Sequence, residues 1–544
     1  MHCTQLDKGG LKLNVAEAIL TQLANWGVRN IYGVAGDHIF QLLHQLSTCP
    51  KIKFYSVCHE ETAALMASAH AKLTGQIGVC LATGGPGATH LLNGIADAYK
   101  DQVPVLAITG DEATKDLGTD QKQVINQSML FAGVTCFSGQ VVNQEAAGEV
   151  LVKALSQAIQ KSTPTHISIP KDILQKTYSG KLFPEAPFIN TRAQSTDQVI
   201  GEAAAKINQF KKPAILAGKG AVGQSEKVLA FAEKLSAPII LTSVVKGEFQ
   251  YDHSLVLGGL GDGGSEAATN ILNKADVVLE IGANWWPESY LAEGITIIKI
   301  DSNPATLAGG QPIAFGLVGD IATILDKLIP QITASSDANW IKEYEKERDS
   351  WNKRVEKELS QAGNPCSPAS IIEAMNKTIA DNAIVTLDVG DHFLWFNRLF
   401  KGKGQSILLS GKWRTLGFGL PAALAAKINS PDRPVVAFVG DGGLTMLMAD
   451  FLSAVKHELP ITIIVANNKY YAMEKNKMTA EGLTPFGTKL HNPDFKMYAE
   501  SCGGIGFIVE ESKDLEATLQ KAFESNKPCI VDVYTETTPP ATVH

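Results

Sequence analysis

Asp441 and Asn468 are the residues whose types and spacing point most directly to chemistry. Asp441 stands between glycines in FVGDGGL, and Asn468, the second residue of an asparagine pair, follows it by 27 positions. The flanking sequence predicts a strand, a glycine turn, a helix and a second strand at Val435–Val439, Gly440–Gly443, Leu444–Glu458 and Ile461–Ala466. Both side chains then leave the carboxyl ends of strands, where open α/β sheets bind ligands. Because Mg²⁺ takes oxygen ligands and is often bound by protein carboxylates together with phosphate oxygens, a metal–diphosphate site is indicated.

A simple tight turn is the alternative interpretation of the same glycines. The chain contains a second GDGG at Gly261–Gly264, but Ser289 rather than an asparagine stands 27 positions after Asp262. Glycines also allow backbone N–H groups to approach a diphosphate at the start of a helix. The metal–diphosphate interpretation is therefore preferred for Asp441, and Asp262 serves as an internal control.

The bulk composition narrows the class of protein. The chain has 544 residues, of which 45% are hydrophobic and 19% charged, and a formal net charge of −8. These values are typical of a globular protein of about three domains, and they give no electrostatic argument for a nucleic-acid partner. The eight cysteines show no spacing typical of zinc or disulfides. We identify neither a signal peptide nor a membrane-spanning run, so we expect a cytoplasmic protein without a membrane partner.

Short apolar segments alternate with helical patterns in three successive blocks. This alternation predicts three α/β domains with doubly wound parallel sheets, at residues 1–180, 195–332 and 365–544. A polar linker with Pro184 and Pro187 follows the first domain, and a charged, solvated helix at Asp337–Leu359 precedes the third. The other predicted strands are Asn30–Val34, Lys53–Val57, Ile77–Ala82, Val103–Thr109, His166–Ile169, Ala214–Ala217, Ile239–Thr242, Val277–Ile281, Ile295–Ile300, Ile384–Asp388 and Cys529–Val533.

The GDG turn followed by an asparagine pair resembles the thiamine diphosphate motif. IYGVAGDHIFQLLHQL, TGGPGATHLLNGIADA and RTLGFGLPAALAAK extend the resemblance to the pyruvate oxidase and acetolactate synthase family over nearly the whole chain. The resemblance implies a pyrimidine-binding domain, a middle domain of the FAD or Rossmann-like type and a pyrophosphate-binding domain, in that order. It also implies that Asp441, the side chain of Asn468 and the carbonyl of Tyr470 hold Mg²⁺.

Glu60 follows a predicted strand and begins a helix of small residues. A carboxylate at a helix start is favoured by the helix dipole, so a structural role is open to both Glu60 and Glu61. In the family that the chain resembles, the glutamate after this histidine donates its proton to the aminopyrimidine ring, which lets the coenzyme deprotonate its own thiazolium carbon. Such a carboxyl group needs apolar surroundings that raise its pKa. We predict this catalytic role for Glu60 and a structural one for Glu61.

Leu416 occupies the position at which the family places a bulky apolar side chain beneath the bend of the coenzyme. The alternative is an ordinary core residue. The resemblance also places Gln123, predicted as catalytic, near Gly84 and Asn93 at the pyrimidine end. The remaining residues that it assigns to coenzyme binding are Val389, Gly390, Asp391, His392, Arg414, Gly440, Gly442, Gly443 and Tyr471.

Several cations depart from the family pattern. Lys122 and Lys477 stand where pyruvate oxidases carry phenylalanine and glutamate, and Arg414 replaces a smaller residue. Each could be an ordinary solvated cation. Gathered at the mouth of the site, they would favour an anionic acceptor or a larger acidic substrate, and we predict catalytic roles for the two lysines. The paired histidines of typical pyruvate decarboxylases are absent, which leaves Asp37 and His38 as candidates for proton transfer.

Flavin binding by the middle domain is left open. Gly218 and Gly220 form a glycine turn, and Asp301 follows a strand, at places where family members bind FAD. A middle domain without flavin would keep the same turns.

We therefore predict an enzyme that uses thiamine diphosphate and Mg²⁺, with FAD as an open third cofactor, to decarboxylate a 2-oxo acid, pyruvate being the first candidate. Transfer of the acyl unit to an acceptor, as in acetolactate synthase, is preferred over flavin-linked oxidation, as in pyruvate oxidase. A non-catalytic binding protein on the same fold is a distant third hypothesis, which the presence of Glu60 disfavours. Since the two ends of the coenzyme are bound by different subunits in the family, we expect a homodimer or homotetramer.

Overall fold

The computed structural model describes residues 13–183, 193–283, 290, 294–308, 313–333 and 336–541. Residues 1–12 lie outside this part of the chain. So do Pro184 and Pro187 of the predicted linker and Ser289, which was compared with Asn468. The described residues form three six-stranded sheets, and every pairing between the strands of these sheets is parallel. The predicted α/β fold class with three parallel-sheet domains is confirmed. Among the described residues, no helix combines the length and apolar character needed to cross a membrane.

The first sheet is built from long apolar runs, and all seven residues of its strand VLAITGD are buried, as expected when helices cover both faces. Its strands are β1 (Asn30–Gly33), β2 (Lys53–Ser56), β3 (Gly78–Ala82), β4 (Val105–Asp111), β5 (Phe137–Gln140) and β6 (Thr165–Pro170), in the order β2-β1-β3-β4-β6-β5. Its helices are α1 (Val15–Asn25), α2 (Phe40–Thr48), α3 (Glu60–Thr74), α4 (Pro86–His90), α5 (Leu92–Lys100), α6 (Gln127–Phe131), α7 (Ala147–Lys161) and α8 (Lys171–Gln175).

The middle sheet has a different topology, with its first strand at the centre. Its strands are β7 (Pro213–Ala217), β8 (Ile239–Leu241), β9 (Val256–Gly259), β10 (Val277–Ile281), β11 (Thr296–Asp301) and β12 (Ile313–Val318), in the order β12-β11-β10-β7-β8-β9. Its helices are α9 (Asp197–Ile207), α10 (Ser225–Leu235), α11 (Glu266–Lys274) and α12 (Ile321–Leu328). This is the strand order of a dinucleotide-binding Rossmann sheet.

The third sheet repeats the relative strand order of the first. Its strands are β13 (Ile384–Leu387), β14 (Ser406–Leu409), β15 (Val435–Gly440), β16 (Thr462–Asn467), β17 (Ile505–Val509) and β18 (Cys529–Tyr534), in the order β14-β13-β15-β16-β18-β17. The helices around it are α13 (Ala338–Leu359), α14 (Pro368–Thr378), α15 (Asp391–Leu399), α16 (Gly419–Asn429), α17 (Asp441–Leu447), α18 (Phe451–Lys456), α19 (Ala472–Ala480), α20 (Phe495–Ser501) and α21 (Leu515–Glu524).

Five strands were not predicted from the sequence, namely β5, β9, β12, β14 and β17, and each lies at the edge of its sheet.

The prediction of a solvated α13 is wrong for one face of that helix. Its buried residues are Trp340, Tyr344, Trp351, Val355 and Leu359. They recur at helical spacing and anchor an otherwise charged helix.

The first and third domains pack together through α3 and α16, whose small side chains let the two helices lie close. Residues 62–71 of α3 and 419–426 of α16 are buried without interruption, so neither helix has a solvated face over these residues.

The helix predicted at Leu444–Glu458 is interrupted, because α17 ends at Leu447 and a short 3₁₀ turn at Met448–Asp450 precedes α18. This interruption turns the buried Asp450 toward the first domain. Its carboxylate accepts hydrogen bonds from the Cys58 backbone N–H (2.7 Å) and the Thr62 hydroxyl (2.5 Å).

Candidate coenzyme site

Asp441 is held at the junction of two strand ends. It is 2% exposed at the start of α17, and its Oδ2 accepts hydrogen bonds from the Lys469 backbone N–H (2.8 Å) and from Nδ2 of Asn492 (2.7 Å). Burial raises the pKa of the Asp441 carboxyl, and these hydrogen bonds oppose that rise. Oδ1 of Asn468 accepts from the backbone N–H of Tyr470 at 3.0 Å. The GDG turn and the asparagine pair are thus parts of one structure.

The cavity beside Asp441 has a volume of about 220 Å³. All residues predicted for the diphosphate end line it, namely Val389, Gly390, Asp391, His392, Arg414, Leu416, Gly440, Asp441, Gly442, Gly443, Asn468, Tyr470 and Tyr471. Every lining residue lies between Pro368 and Thr538, so the cavity belongs to the third domain alone. A Cβ on Gly442 would lie 2.5 Å from the Tyr471 ring, so a larger residue would not fit there.

Asp388, Asp391 and His392, the polar residues of the segment DVGDH at 388–392, are buried beside this cavity. Asp388 accepts hydrogen bonds from the N–H groups of Val389 (2.7 Å) and Gly417 (3.0 Å), and burial raises its carboxyl pKa to about 6. Burial likewise raises the pKa of Asp391 to about 6 and lowers that of His392 to about 3, so the imidazole is neutral. Nε2 of His392 is buried with no hydrogen-bond partner among the described residues. It is a polar atom that a ligand in the cavity could satisfy.

The segment that carries Leu416 is an unusual turn. Arg414 has a φ of 58°, in the left-handed region that few residues other than glycine adopt. Its guanidinium lies over the Phe393 ring at 4.9 Å, and burial lowers its pKa. Leu416 follows this turn and reaches the cavity wall. The geometry therefore fits the predicted place of an apolar side chain against a bound coenzyme.

Glu60 lies in a separate cluster at the start of α3. Its Oε2 is 2.9 Å from Nδ1 of His90, and the His90 ring stacks on that of His59 at 4.5 Å. A Cβ on Gly87 would lie 3.2 Å from Oε1 of Glu60. A Cβ on Gly85, two residues earlier in the same loop, would lie 2.9 Å from the Cβ of Gln123. Glu60, the glycine loop and Gln123 are therefore brought together as predicted for the pyrimidine end.

His38 is engaged at both ring nitrogens. Nδ1 accepts from the backbone N–H of Gly84 at 3.1 Å, so the proton is carried by Nε2, which donates to Oε1 of Glu112 at 3.1 Å. Lys171 approaches the other oxygen of Glu112 at 2.6 Å and, as the largest cause, lowers the pKa of this carboxyl to about 2. This doubly bonded His38 holds the backbone of Gly84 in place. Both ring nitrogens are therefore engaged within the chain, and proton transfer by His38 stays a prediction.

Asn93 does not present a free carboxamide to the glycine loop. Its Nδ2 donates to Oε1 of Glu61 (2.6 Å) and to Oγ1 of Thr415 (2.8 Å), and its Oδ1 accepts from Nε1 of Trp413 (2.7 Å). Its side chain therefore bridges the first and third domains, which the sequence did not predict.

The two lysines predicted as a pair are exposed side chains. The Lys477 side chain is 62% exposed and lies 3.9 Å from Glu474. Lys122 is also exposed, and neither lysine lines the cavity. Within the part of the chain that the structure describes, no recorded ion pair or hydrogen bond joins them. The predicted clamp is not formed in a single chain.

Gly218 and Gly220 of the middle domain have a packing role. A Cβ on Gly218 would lie 2.4 Å from the Cα of Ala283, and one on Gly220 would lie 2.7 Å from the Cα of Gly282. Both glycines are thus required by the contact between two loops, with or without flavin. Asp301 is buried, and its Oδ2 has no hydrogen-bond partner among the described residues. This atom could accept a hydrogen bond from a ligand hydroxyl, so Asp301 fits an FAD site. Gly218 and Gly220 argue neither for nor against flavin binding.

Asn492 is a residue of the site that sequence reasoning missed, and the contact of Asp388 with Gly417 was not foreseen either. Asn492 donates to Asp441 and also to Oδ1 of Asn467 (2.9 Å), although it lies in a loop whose sequence, LHNPDF, carries no recognisable signal. Asp388 was predicted as the last residue of a strand, and nothing in the sequence indicated its contact with Gly417. Both contacts join segments that are far apart in the chain, which sequence spacing does not reveal.

A parallel sheet with a cavity at the carboxyl ends of its strands, lined by a buried carboxylate and glycine turns, defines an α/β protein with a ligand site at the usual edge of the sheet. Comparison with known proteins gives the family. Residues 13–130 match the N-terminal TPP binding domain of thiamine pyrophosphate enzymes, residues 200–328 their central domain and residues 388–533 their C-terminal TPP binding domain. The chain belongs to the thiamine pyrophosphate enzyme family, which confirms the resemblance found in the sequence.

Individual relatives cover nearly the whole chain. It is 34% identical to YdaP of Bacillus subtilis, a protein named as thiamine pyrophosphate-containing, over 96% of this chain and 92% of that protein. It is 29% identical to the large subunit of acetolactate synthase isozyme 3 of Escherichia coli, over 96% of this chain and 94% of that one. It is 28% identical to pyruvate oxidase of Lactiplantibacillus plantarum, over 95% of this chain and 87% of that one.

Proposed function

We propose that this enzyme decarboxylates a 2-oxo acid, pyruvate being the first candidate, and transfers the resulting acyl unit to an acceptor as a carboligase. The observation that carries the proposal is the single cavity on which Asp441, Asn468, Tyr470 and Leu416 meet. These are the residue types needed to hold a metal-bound diphosphate at one end and an apolar ring system at the other.

Mg²⁺ would be held by the Asp441 carboxylate, the Asn468 side-chain oxygen and the Tyr470 carbonyl. This donor set is made of oxygens only, as Mg²⁺ requires, and leaves positions for phosphate oxygens. His392 would contribute the buried Nε2, which has no other partner among the described residues. Thiamine diphosphate supplies the nucleophilic carbon of the reaction, and the protein supplies orientation and electrostatics.

Glu60 would hold and release a proton at the pyrimidine end of the coenzyme. In this chain it is paired with His90, on a cluster that does not line the Asp441 cavity. We therefore propose that each complete site combines the cavity of one chain with Glu60 of the partner subunit. A two-fold homodimer, alone or as half of a tetramer, would form two such sites.

Flavin-linked oxidation of pyruvate is the second candidate. The identities to acetolactate synthase and pyruvate oxidase are nearly equal, at 29% and 28%, so they favour neither reaction. Gly218 and Gly220 are accounted for by packing, which removes one argument for flavin, whereas the free oxygen of Asp301 keeps FAD as an alternative. Carboligation is preferred because it needs no third cofactor.

The test is product analysis on the purified protein supplied with thiamine diphosphate, Mg²⁺ and pyruvate, with and without a second carbonyl compound. Carboligation predicts carbon dioxide release together with a new carbon–carbon product and no requirement for an electron acceptor. A yellow protein whose flavin is bleached by pyruvate would instead favour the oxidase. Absence of any 2-oxo acid decarboxylation would contradict both candidates.

A further inference from the structure

Asn93 connects the two halves of the coenzyme machinery within one chain. It is the second residue of α5 in the first domain, yet two of its three side-chain hydrogen bonds reach Thr415 and Trp413 of the third domain. The other hydrogen bond reaches Glu61, the neighbour of Glu60. An amide group can make at most four hydrogen bonds. With three of them used, Asn93 has little left to offer a ligand.

The contact with Thr415 continues to the backbone of Leu416. The Thr415 hydroxyl accepts from Asn93 at 2.8 Å and donates to the carbonyl of Leu416 at 3.0 Å. An unbroken chain of hydrogen bonds therefore runs from Glu61 through Asn93 and Thr415 to the residue that lines the cavity. Thr415 is thus the contact through which Asn93 reaches the backbone of Leu416.

The first domain holds the same segment at a second place. Asp101 accepts hydrogen bonds from the backbone N–H groups of Gly411 (2.8 Å) and Lys412 (2.7 Å). Between these two attachments the chain passes through the left-handed Arg414, a conformation that persists only when the surrounding structure enforces it. Asn93 is thus one of the groups that enforce the turn carrying Leu416.

We propose that Asn93 is a positioning residue that sets the place of Leu416 in the cavity, rather than a ligand of the coenzyme. The inference rests on the proposed function, because it gives Leu416 the role of supporting the bent coenzyme. Leu416 would contact the bound coenzyme, Thr415 holds the backbone of Leu416, and Asn93 holds Thr415. Loss of the Asn93–Thr415 contact displaces the reacting geometry while leaving the diphosphate and metal groups in place.

The test compares Thr415→Val, which removes the hydroxyl but keeps the branched shape, with Thr415→Ser, which keeps the hydroxyl. We expect Thr415→Val to lower kcat for 2-oxo acid decarboxylation by about ten- to a hundred-fold, because small misplacements at a reacting centre are costly. The Kd for thiamine diphosphate, measured by calorimetry with Mg²⁺, should change by less than about three-fold, because the residues proposed to bind the diphosphate and the metal are unchanged. Thr415→Ser should restore kcat. Thr378→Val, which removes a hydroxyl bonded only to Ala374 in α14, is the control for folding.

Two further measurements separate positioning from a merely structural bridge. The near-ultraviolet circular dichroism of the bound coenzyme should weaken in Thr415→Val and in Asn93→Ala, because the coenzyme is held in a less defined conformation. The double variant should lose no more kcat than Asn93→Ala alone, since both changes break one chain of contacts.

The outcomes are distinct. Wild-type protein that binds no thiamine diphosphate would overturn the proposed function and this inference with it. Wild-type binding combined with unchanged kcat and dichroism in both variants would overturn the inference alone. So would a Thr415→Ser variant as impaired as Thr415→Val, or a loss of kcat matched by an equal loss of coenzyme affinity.

Discussion

The backbone N–H of Lys469 donates a 2.8 Å hydrogen bond to Oδ2 of Asp441, which ties the end of β16 to the start of α17. Lys469 adopts a φ of 60° to do so. This turn carries Asn468 and Tyr470 to the cavity that Asp441 lines. The separation of 27 positions between Asp441 and Asn468 is therefore the length of chain needed to leave one strand and return along its neighbour.

Glu60→Gln is expected to bind thiamine diphosphate but to lose most of the exchange of its thiazolium proton. An amide cannot supply the proton, and general acid–base groups of this kind contribute roughly 10²–10⁴-fold. Glu61→Gln is the matched control, because Gln can still accept the hydrogen bond from Asn93 through its carbonyl oxygen. Hydrogen–deuterium exchange followed by NMR measures both variants. Normal exchange in Glu60→Gln would end the catalytic assignment.

Lys477→Met is expected to raise the KM for an anionic acceptor while leaving the KM for a neutral acceptor unchanged. Because the Lys477 side chain is 62% exposed, solvent screening limits the effect to about ten-fold or less. Lys122→Met should act in the same direction if a partner subunit brings the two lysines to one site. Lys521→Met, an exposed lysine on α21, is the control in the same steady-state assay. Equal changes for both acceptors would show that the lysines are ordinary surface charges.

Lys246 should make the stability of the protein depend on pH above neutrality. Its Nζ is buried and donates to the carbonyl of Asn397 at 2.6 Å, and burial lowers its pKa to about 7. In the unfolded chain the pKa of a lysine is about 10.4. Between about pH 7 and about pH 10.4, therefore, Lys246 is protonated in the unfolded chain and neutral in the folded one. The free energy of unfolding should therefore fall by up to about 1.4 kcal/mol per pH unit as the pH drops from about 10 to about 7.

Lys246→Met removes this titration and should flatten the curve over the same range. Thermal midpoints of the wild type and the variant, measured at intervals across that range, provide the comparison. An unchanged pH dependence in Lys246→Met would mean that the buried lysine keeps its proton when the protein is folded.

Large apolar side chains are exposed in both the first and the third domain. Met129 of α6 and Phe486, in the loop before α20, are 75% and 89% exposed. If a two-fold partner covers them, light scattering should give a dimer or a tetramer. Phe486→Asp should then lower the oligomeric fraction and the activity together. A fully active monomer would contradict the proposal that two chains share each site.

The inner strands of each sheet could be predicted from sequence, whereas five of the six edge strands could not, β2 being the exception. All four inner strands of each sheet were found, and the limits predicted for Val277–Ile281 match those of β10. The five missed strands lie at sheet edges, and their sequences FSGQ, VLGG, IAFGLV, SILL and IGFIV mostly contain glycine. Burial on both faces gives inner strands long apolar runs, whereas shorter and interrupted edge strands resemble loops.

The same limit applies to the candidate site. Asp441, Asn468 and the glycine turn could be predicted because their roles follow from positions within one strand–helix–strand unit. The contacts of Asn492 with Asp441 and of Asn93 with Thr415 join segments 51 and 322 positions apart. No local pattern carries that information, and only the folded chain reveals it.

Titration of thiamine diphosphate into the protein by calorimetry, with Mg²⁺ present, tests the central claim most directly. The wild type and Asp262→Ala should bind with similar affinity, because Asp262 lies in the second GDGG sequence, outside the residues that line the cavity. Asp441→Ala should lose Mg²⁺-dependent binding, because it removes the buried carboxylate of the proposed metal site. Equal affinity in Asp441→Ala and Asp262→Ala would contradict the account.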